Sequence, residues 1–557
     1  MYGFDIIQKD NITADIVVNG FSCRNHLITK FENDKIFNEN DDYIVILDGV
    51  VTNKKELEAK YLQDNWFETV IKLYDNDGEK FFSSLRGSFA GALYIKKADK
   101  WIIFSDQLGT KFVYYCKIGN FFCCSSMMGQ MYNILNEVGL MYQLDEIGVK
   151  MLLSYGFMLE DYTLCKEVKK IKPGEYITYE KRCIEVKQYY RLNNECNYLI
   201  PEDEAIDILD KLFRQAVKRQ FEKDEEYQYD HIVALSAGLD CRMTSFVAHD
   251  LGYTTQTNIT FSQSEYYDDY VSKKMATDLG HDWIFKSLDY GNWLLDVDEV
   301  NRTTGGNVLY YGTAHGNSLF KRINFAEFGL IHSGQVGDVV FSTHSKIDNE
   351  PYIIGDGAYS NSYISQLSPY LKDTYPNQEI GLWYCRYLNG TNNGQQNEYN
   401  YTETLSPFMD LDLIEFALTI PSGIRFDHNL YKKWIIKKYP KAAEYIWTGL
   451  GDKITAPKLK FRGTTYSRKV FLRKLIQLIL VQKSSYYNSK FNMNPIGYYI
   501  NQNPKLKDSI YNHHQYIDLI ANEDIKSEIK EIIIKGKPIE LIQVHTLMSA
   551  LKLFFNV

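Results

Sequence analysis

Cys-x-x-Cys does not occur in this sequence, and its nine cysteines (23, 116, 123, 124, 165, 183, 196, 241 and 385) are odd in number. That excludes a zinc site built on paired cysteines and argues against a disulfide framework, so a reducing cytoplasm is the expected location. Positive charge is not in excess either. The formal net charge of -9 gives no reason to expect a nucleic-acid partner or an anionic membrane. The opening MYGFDIIQKD has no basic n-region and already holds two acids, so no signal peptide is expected. No apolar run reaches a bilayer span; the longest near the end, LIQLILV at 475–481, is short and contains a Gln. GxxxxGK[ST] and GxGxxG are both missing, which closes the Walker and dinucleotide routes to phosphate binding.

What is present is ordinary soluble material, 45% hydrophobic and 24% charged. At 557 residues it is too long for one core, and length suggests roughly two to four domains. The 44 Tyr and 30 Phe are scattered and read as core and interface residues. The first 190 residues are rich in strands: YIVILDGVV (43–51), FAGALYI (89–95), WIIFSDQLG (101–109), a pair within 111–126 turning at Gly119-Asn120, and a hairpin over 175–190. Only WFETVIKLYDNDG (66–78) reads clearly as a helix. After a polar stretch the texture changes. Residues 204–223 place Ile206, Leu209, Leu212, Phe213 and Ala216 at helical spacing, and strands then alternate with helices from HIVALS to FAEFGLIHSG. That alternation predicts a parallel sheet covered by helices, followed by a mainly helical remainder, with the boundary near residue 195. The polar run 387–404 reads as a mobile loop near the site.

The stretch IVALSAGLDCR (232–242) is a buried strand that breaks at Ser236-Ala237-Gly238 and runs on into a helix. Ligands of open parallel sheets bind beyond the carboxyl ends of the strands. Small residues there let backbone N–H groups approach an anion, and the next helix adds its positive end. Asp240 would repel a phosphate unless a cation lay between them, so the pattern favours Mg²⁺; an ordinary turn with Asp240 as helix cap is equally consistent. IHSGQVGD (331–338) ends a second apolar strand and adds Asp338, so two carboxylates on neighbouring strand ends would share one metal. His315 and His332 also fall near this cleft and read as packing or hydrogen-bonding residues.

Together these motifs resemble the asparagine synthetase family. LSAGLDC stands where that family has its pyrophosphate loop, SGQVGD resembles its Ser-Gly-Glu-Gly-Ala-Asp, and LSPFMDLDLIEFALTIP (405–421) follows its Arg-x-Pro-Phe-Leu-Asp segment. VILDGVVTNKKEL, LRGSFAGALY and FSDQLGTKFVYY are similar to its N-terminal glutaminase-type domain, so these motifs run collinear over nearly the whole chain. The resemblance implies an α+β two-domain protein. Residues 1–192 would form an αββα sandwich of the N-terminal-nucleophile kind. Residues 200–557 would form an α/β parallel-sheet ATP pyrophosphatase of the PP-loop, adenine nucleotide α-hydrolase-like kind, with a helical C-terminal extension. It also implies ATP and Mg²⁺, a small-molecule or conjugated carboxylate, and ammonia or an amine that opens an acyl-adenylate; a homodimer is left open. Carried over by position, Ser236, Ala237, Gly238, Leu239, Asp240 and Cys241 would hold pyrophosphate. Asp240 and Asp338 would hold Mg²⁺, and Ala234, Gln263, Ser333 and Gly334 would line the adenosine.

Departures concentrate in the first domain. Glutamine hydrolysis in this family needs a Cys directly after the initiator Met, and Tyr2 stands there. Asp48-Gly49-Val50 replaces Asn-Gly-Glu, placing a negative charge where an oxyanion needs a donor. Cys23, the next thiol, reads as structural. The expectation is the glutaminase fold without its activity. In the second domain Ala237 replaces a Gly and Cys241 a Ser, and Gln335 replaces a Glu near the reacting carboxylate. Leu405 replaces an Arg, which puts an aspartate substrate in doubt. Lys453 is the candidate for the cation that stabilises the pentavalent phosphorus, with a solvated surface lysine as the equal alternative. The expected function is an ATP-dependent amide ligase releasing AMP and pyrophosphate; the alternative is a silent relative that binds nucleotide or a partner.

Overall fold

The computed structural model describes residues 2–9, 12–461, 464–472 and 492–556. The apolar run at 475–481 lies outside them.

Period-2 alternation builds the first half. In the strand Gly3–Ile7 (β1), Phe4 and Ile6 point to one face and Ile7 to the other. In Tyr43–Val51 (β2), Ile44 and Ile46 share the face of Phe4, while Val45 and Leu47 point away. Gly87–Ile95 (β3) and Lys100–Ser105 (β4) repeat this, with Ala90, Ala92, Trp101 and Ile103 inward and Phe89, Leu93, Ile102 and Phe104 outward. β1 lies inside one six-stranded antiparallel sheet and β2, β3 and β4 inside a second. The inward residues form the layer between the sheets. Leu57, Trp66, Phe67 and Val70, from the helices Lys54–Tyr61 and Trp66–Asp77, cover the outer face of the second sheet. Met131, Leu135, Val149 and Leu152, from Met128–Val138 and Glu146–Tyr155, cover that of the first together with Leu547 and Met548 of the chain's last long helix. The layer order is helix, sheet, sheet, helix.

Both hairpins form where the turn residues place them, Tyr114–Ile118 with Phe121–Ser125 and Glu175–Glu180 with Cys183–Gln188. Three helices of this half carry no clear period in the sequence. The helix Glu146–Tyr155 shows why: Val149 and every residue from Met151 to Tyr155 are buried, which leaves no polar stripe to read.

The second half opens with Glu202–Glu226 (α1), its apolar stripe Ile206, Leu209, Phe213 and Ala216 buried as the spacing predicts. There follow Asp230–Ala234 (β5), Asp240–Asp250 (α2), Gln256–Ser262 (β6), Tyr267–Leu279 (α3), Asp282–Ser287 (β7), Tyr311–Phe320 (α4), Phe328–His332 (β8) and Thr404–Leu405 (β9). The sheet order is β7-β6-β5-β8-β9 and every pairing is parallel. β5 is central, and β8 is its hydrogen-bonded neighbour with Val233 opposite His332. The loops that leave these two strands are therefore side by side.

Residues 387–404 correct the expectation of a mobile loop. They wind into short helical turns, Thr391–Gln395 and Glu398–Asn400, with Asn392, Asn393, Gln395, Gln396 and Asn397 buried. The amides serve one another and the backbone: Gln396 donates to Asn393, and Asn389 donates to the Tyr384 carbonyl at 2.7 Å. Among the described residues no helix is long and apolar enough to cross a membrane.

Candidate active site

The loop after β5 and the loop after β8 interlock through glycines. A Cβ on Gly334 would sit 2.3 Å from the Cys241 nitrogen, and one on Gly337 would sit 2.7 Å from the Asp240 carboxyl carbon. Only hydrogen at both positions lets the first turn of α2 seat against residues 333–338. Between them Val336 has φ 60, a left-handed conformation that costs a β-branched residue on the order of 1–3 kcal/mol. Strain of that kind persists where surrounding structure demands it. Here it turns the chain so that Asp338 faces Asp240.

A cavity of about 500 Å³ opens at these strand ends. Ala234, Ser236, Asp240, Cys241, Ser333, Gly334, Gln335 and Asp338 all line it, so eight of the candidate residues converge. A cavity of about 620 Å³ elsewhere is larger, but it is walled by the helix Glu523–Lys535 and by none of the strand-end loops.

Asp240 is half-buried at the strand end, and desolvation first, then the neighbouring Asp338, push its carboxyl well above the usual range. The Tyr431 hydroxyl donates to it at 2.9 Å and offsets part of that. Asp338 is solvent-exposed at the mouth of the cavity, and two neighbouring acids repel unless a proton or a cation intervenes; hard oxygen donors suit a divalent cation. The donor set therefore fits Mg²⁺. Burial also lifts the Cys241 thiol to about 12, so it stays protonated near neutrality. Ala237 has negative φ, which makes its Cβ harmless, and its N–H donates to Asp268 at 2.8 Å. The Gly238 N–H points to Ser236 Oγ at 3.2 Å. Arg242, fully buried, donates to the carbonyls of Ala237 (3.0 Å), Ala442 (2.9 Å) and Ile446 (2.7 Å), which fixes the loop's shape.

Five candidates lie apart from the cavity wall: Ala237 and Gly238 of the loop just described, and Leu239, Gln263 and Lys453. Leu239 is packed in the hydrophobic core, and Gln263 is buried with its amide donating to the Asn492 carbonyl at 2.7 Å. Lys453 is half exposed and ion-paired with Glu444. Its register, the weakest point of the sequence comparison, leaves the ammonium outside the cavity. His315 lines the cavity and bonds the Tyr311 carbonyl at 3.0 Å. His332 lies beneath it. With His231 and Asp224 it forms the one set of three metal-capable side chains found together among the described residues. Asp224 accepts from both imidazoles (2.9 and 2.7 Å) and from the Leu330 N–H (2.8 Å), so it ties α1 to β5 and β8.

Sequence reasoning missed several groups here. Tyr431, Asp268 and Arg242 hold the loops. Arg386 lines the cavity with its guanidinium against Tyr359 and Phe157. Glu398 also lines it, one carboxylate oxygen having no hydrogen-bond partner among the described residues, and burial lifts its pKa to about 7. Glu398 belongs to the segment 387–404 that reads as polar loop, and Arg386 immediately precedes it.

The first half holds a second buried cluster. Tyr2 packs its ring on Tyr399 at 5.6 Å, and burial raises its phenol further above the ordinary value. Asp48 is buried, but its charge does not stand alone: Lys111 reaches it at 3.0 Å and Lys35 at 3.9 Å. The same two lysines, each at 2.8 Å, clamp Glu403, the residue before β9. The negative charge that the sequence places at Asp48 is thus balanced within the cluster, two lysines against two acids. Cys23 is buried between the sheets, its thiol pushed up to about 12.

Residues 28–190 match a family described as a glutamine amidotransferase domain. A Methanocaldococcus jannaschii protein, itself provisionally assigned as asparagine synthetase (glutamine-hydrolyzing) 2, is 22% identical over 427 residues, covering 73% of this chain and 77% of that protein. Asparagine synthetase (glutamine-hydrolyzing) 3 of Bacillus subtilis is 26% identical over 37% of this chain and 34% of its own length. Asparagine synthetase B (glutamine-hydrolyzing) of Escherichia coli is 25% identical over 38% and 33%. Among solved structures, glutamine phosphoribosylpyrophosphate amidotransferase from B. subtilis matches 52% of this chain and 61% of its own, at 11% identity and TM-score 0.22, too slight a likeness to carry an argument.

Proposed function

This chain belongs to the asparagine synthetase family, and we propose that it is an ATP-dependent carbon–nitrogen ligase that forms AMP and pyrophosphate. In this reading residues 200–557 are the ATP-pyrophosphatase, PP-loop domain, and residues 1–192 are a glutaminase-like domain without glutaminase activity. A substrate carboxylate oxygen attacks the α-phosphorus of ATP and pyrophosphate leaves. Ammonia or a substrate amine then attacks the acyl carbon and AMP leaves.

Asp240 and Asp338 hold Mg²⁺, which supplies charge neutralisation to the phosphate oxygens when bound. Ser236 and Cys241 face the pyrophosphate, and Ala234, Ser333 and Gly334 the adenosine. Gln335 is unable to take a proton from the amine. Glu398, with an oxygen that has no partner and a pKa near neutrality, is the acceptor in this scheme. Lys453 is not assigned the phosphorus-stabilising role in the placement seen here. The observation that carries the reading is the meeting of Asp240 and Asp338 at one cavity beyond a parallel sheet, beside the LSAGLDC loop.

The test is incubation with ATP, Mg²⁺, a carboxylate library and hydroxylamine, read as pyrophosphate release and as hydroxamates by mass spectrometry. Pyrophosphate and a hydroxamate are expected with at least one carboxylate. Nucleotide binding with no release for any carboxylate would establish instead the silent binder, which the Lys453–Glu444 pair and Gln335 favour.

Glutamine alone is expected to yield no glutamate. Tyr2 presents a buried phenol with a raised pKa, and Asp48, where an amide would be contacted, is held by Lys111 and Lys35. Glutamate formed above the rate of a heat-treated control would return the chain to the glutamine-dependent branch.

A further inference from the structure

Charge is unevenly distributed along this chain. Residues 453–507 hold twelve Lys and Arg and no Asp or Glu, whereas the remainder carries 50 Lys and Arg against 71 Asp and Glu. The whole-chain value of -9 conceals this, so the exclusion of anionic partners drawn from it does not extend to this segment.

Within the segment, Lys458–Phe461 and Thr464–Ser467 form an antiparallel ribbon of two strands, Leu459 opposite Tyr466 and Phe461 opposite Thr464. Phe461 and Tyr466 pack on Phe471 at 5.3 and 6.0 Å. Alternation then puts Lys458 and Lys460 on the opposite, solvent face, and every residue of their strand is exposed. Among the described residues, Lys458, Lys460, Arg468 and Lys469 make no ion pair, in contrast to Lys453 with Glu444. The ribbon has no third strand among the described residues, and a bare two-stranded ribbon is marginal on its own. Among the described residues nothing pairs along its outer edges, which leaves backbone groups there open.

The ribbon also rises from the rim of the proposed nucleotide cavity. Just before it, the Thr448 N–H donates to the Ala237 carbonyl at 3.3 Å and Gly451 lies against Val470 and Tyr267. Beyond it, Met493 lines the cavity.

We propose that this ribbon is the docking edge for an acidic, extended peptide segment that belongs to a larger substrate and delivers its carboxylate to the cavity. The proposal rests on the ligase reading for that last step. Strand addition along the edge supplies main-chain hydrogen bonds, and alternate side chains set specificity. Acidic side chains fall over Lys458 and Lys460, and apolar ones over Leu459 and Phe461, which are 37% and 47% exposed. The alternation of cation and apolar side chain on an open strand favours a peptide over a nucleic acid, which needs charge without an edge.

The experiment uses the full chain and a short fluorescein-labelled peptide of alternating Glu and Val, with fluorescence anisotropy as the readout. Saturable binding is expected. It should weaken as salt is raised, because exposed charges are screened. A Lys–Val peptide should not bind, and the K458E/K460E variant should lose about tenfold or more in affinity, since two attractive contacts become repulsive. The variant should keep pyrophosphate release with any free small carboxylate that the wild type accepts, which shows that it is folded. Equal affinity of wild type and variant, equal binding of the Lys–Val peptide, or tighter binding of oligo-dT than of the acidic peptide overturns the proposal. If the variant does not fold, the wild-type comparison of the three ligands decides it alone. Binding that depends on Lys458 and Lys460 in a protein that never releases pyrophosphate leaves the dock standing and removes the ligase reading.

Discussion

Asp240→Asn should lower pyrophosphate release by about 10³-fold or more, the scale seen when a group that stabilises transition-state charge is removed. The fold should survive. The Asn side chain has the same shape and its carbonyl still accepts the Tyr431 hydroxyl, which sits at 2.9 Å from Asp240. The substitution also removes a half-buried charge whose ionisation is opposed by desolvation and by Asp338. In chelator, therefore, the variant should melt at the wild-type temperature or above it. Adding Mg²⁺ should raise the melting temperature of the wild type and leave the variant unmoved, because a ligand that binds only the native state stabilises it. Wild-type pyrophosphate release from the Asn variant would remove Asp240 from the chemistry. An equal Mg²⁺ response in both proteins would remove it from the metal site.

Lys111→Met should cost about 3–5 kcal/mol of stability at neutral pH, the price of breaking a buried ion pair from one side. The lysine serves Asp48 at 3.0 Å and Glu403 at 2.8 Å, and all three side chains are almost fully buried. Burial alone would raise the Glu403 pKa, but Lys111 and then Lys35 hold it down at about 2. A carboxyl whose folded pKa lies below its unfolded value of about 4.3 adds stability above that value and loses it as pH falls toward the folded pKa. The wild type should therefore weaken between about pH 5 and pH 2 through this group. In the Met variant Glu403 has only Lys35, its pKa rises, and protonation relieves the damage. The stability gap between the two proteins should thus narrow on acidification, as measured by urea unfolding at neutral and acidic pH. A gap that is small at neutrality, or constant with pH, would show that the cluster contributes little. Adding Glu403→Gln to the Met variant should restore part of the loss, which a double-mutant cycle reads directly.

Much of this was legible in the sequence, for reasons that can be named. LSAGLDC and SGQVGD announce themselves because a strand that stops at small residues has few other uses, and their side-by-side placement follows from β5 and β8 being neighbours. The alternation of strands and helices gave the parallel sheet, the Gly119-Asn120 turn the first hairpin, and the β-branched and aromatic run 175–190 the second. Lys35 and Lys111 were not legible, since lysine is the side chain least expected inside and nothing local to Lys111 points at Glu403. Residues 387–404 misled because Asn and Gln read as solvent-facing, whereas here they fill an interior by bonding one another. The basic segment 453–507 was hidden by an average. Of the two readings of Lys453, the surface pairing with Glu444 is the one seen, and nothing local to the residue distinguishes it from a cavity cation.

The balanced quartet of Lys35, Asp48, Lys111 and Glu403 has a consequence for how this lineage can change. Under the proposed reading, a cysteine at position 2 would supply a sulfur but not a glutamine pocket, because the neighbouring volume is occupied by ammonium and carboxylate groups that weld the sandwich to the edge strand β9. Removing any one of the four is expected to leave a buried charge short of a partner, so a working nucleophile at position 2 would need several changes made together.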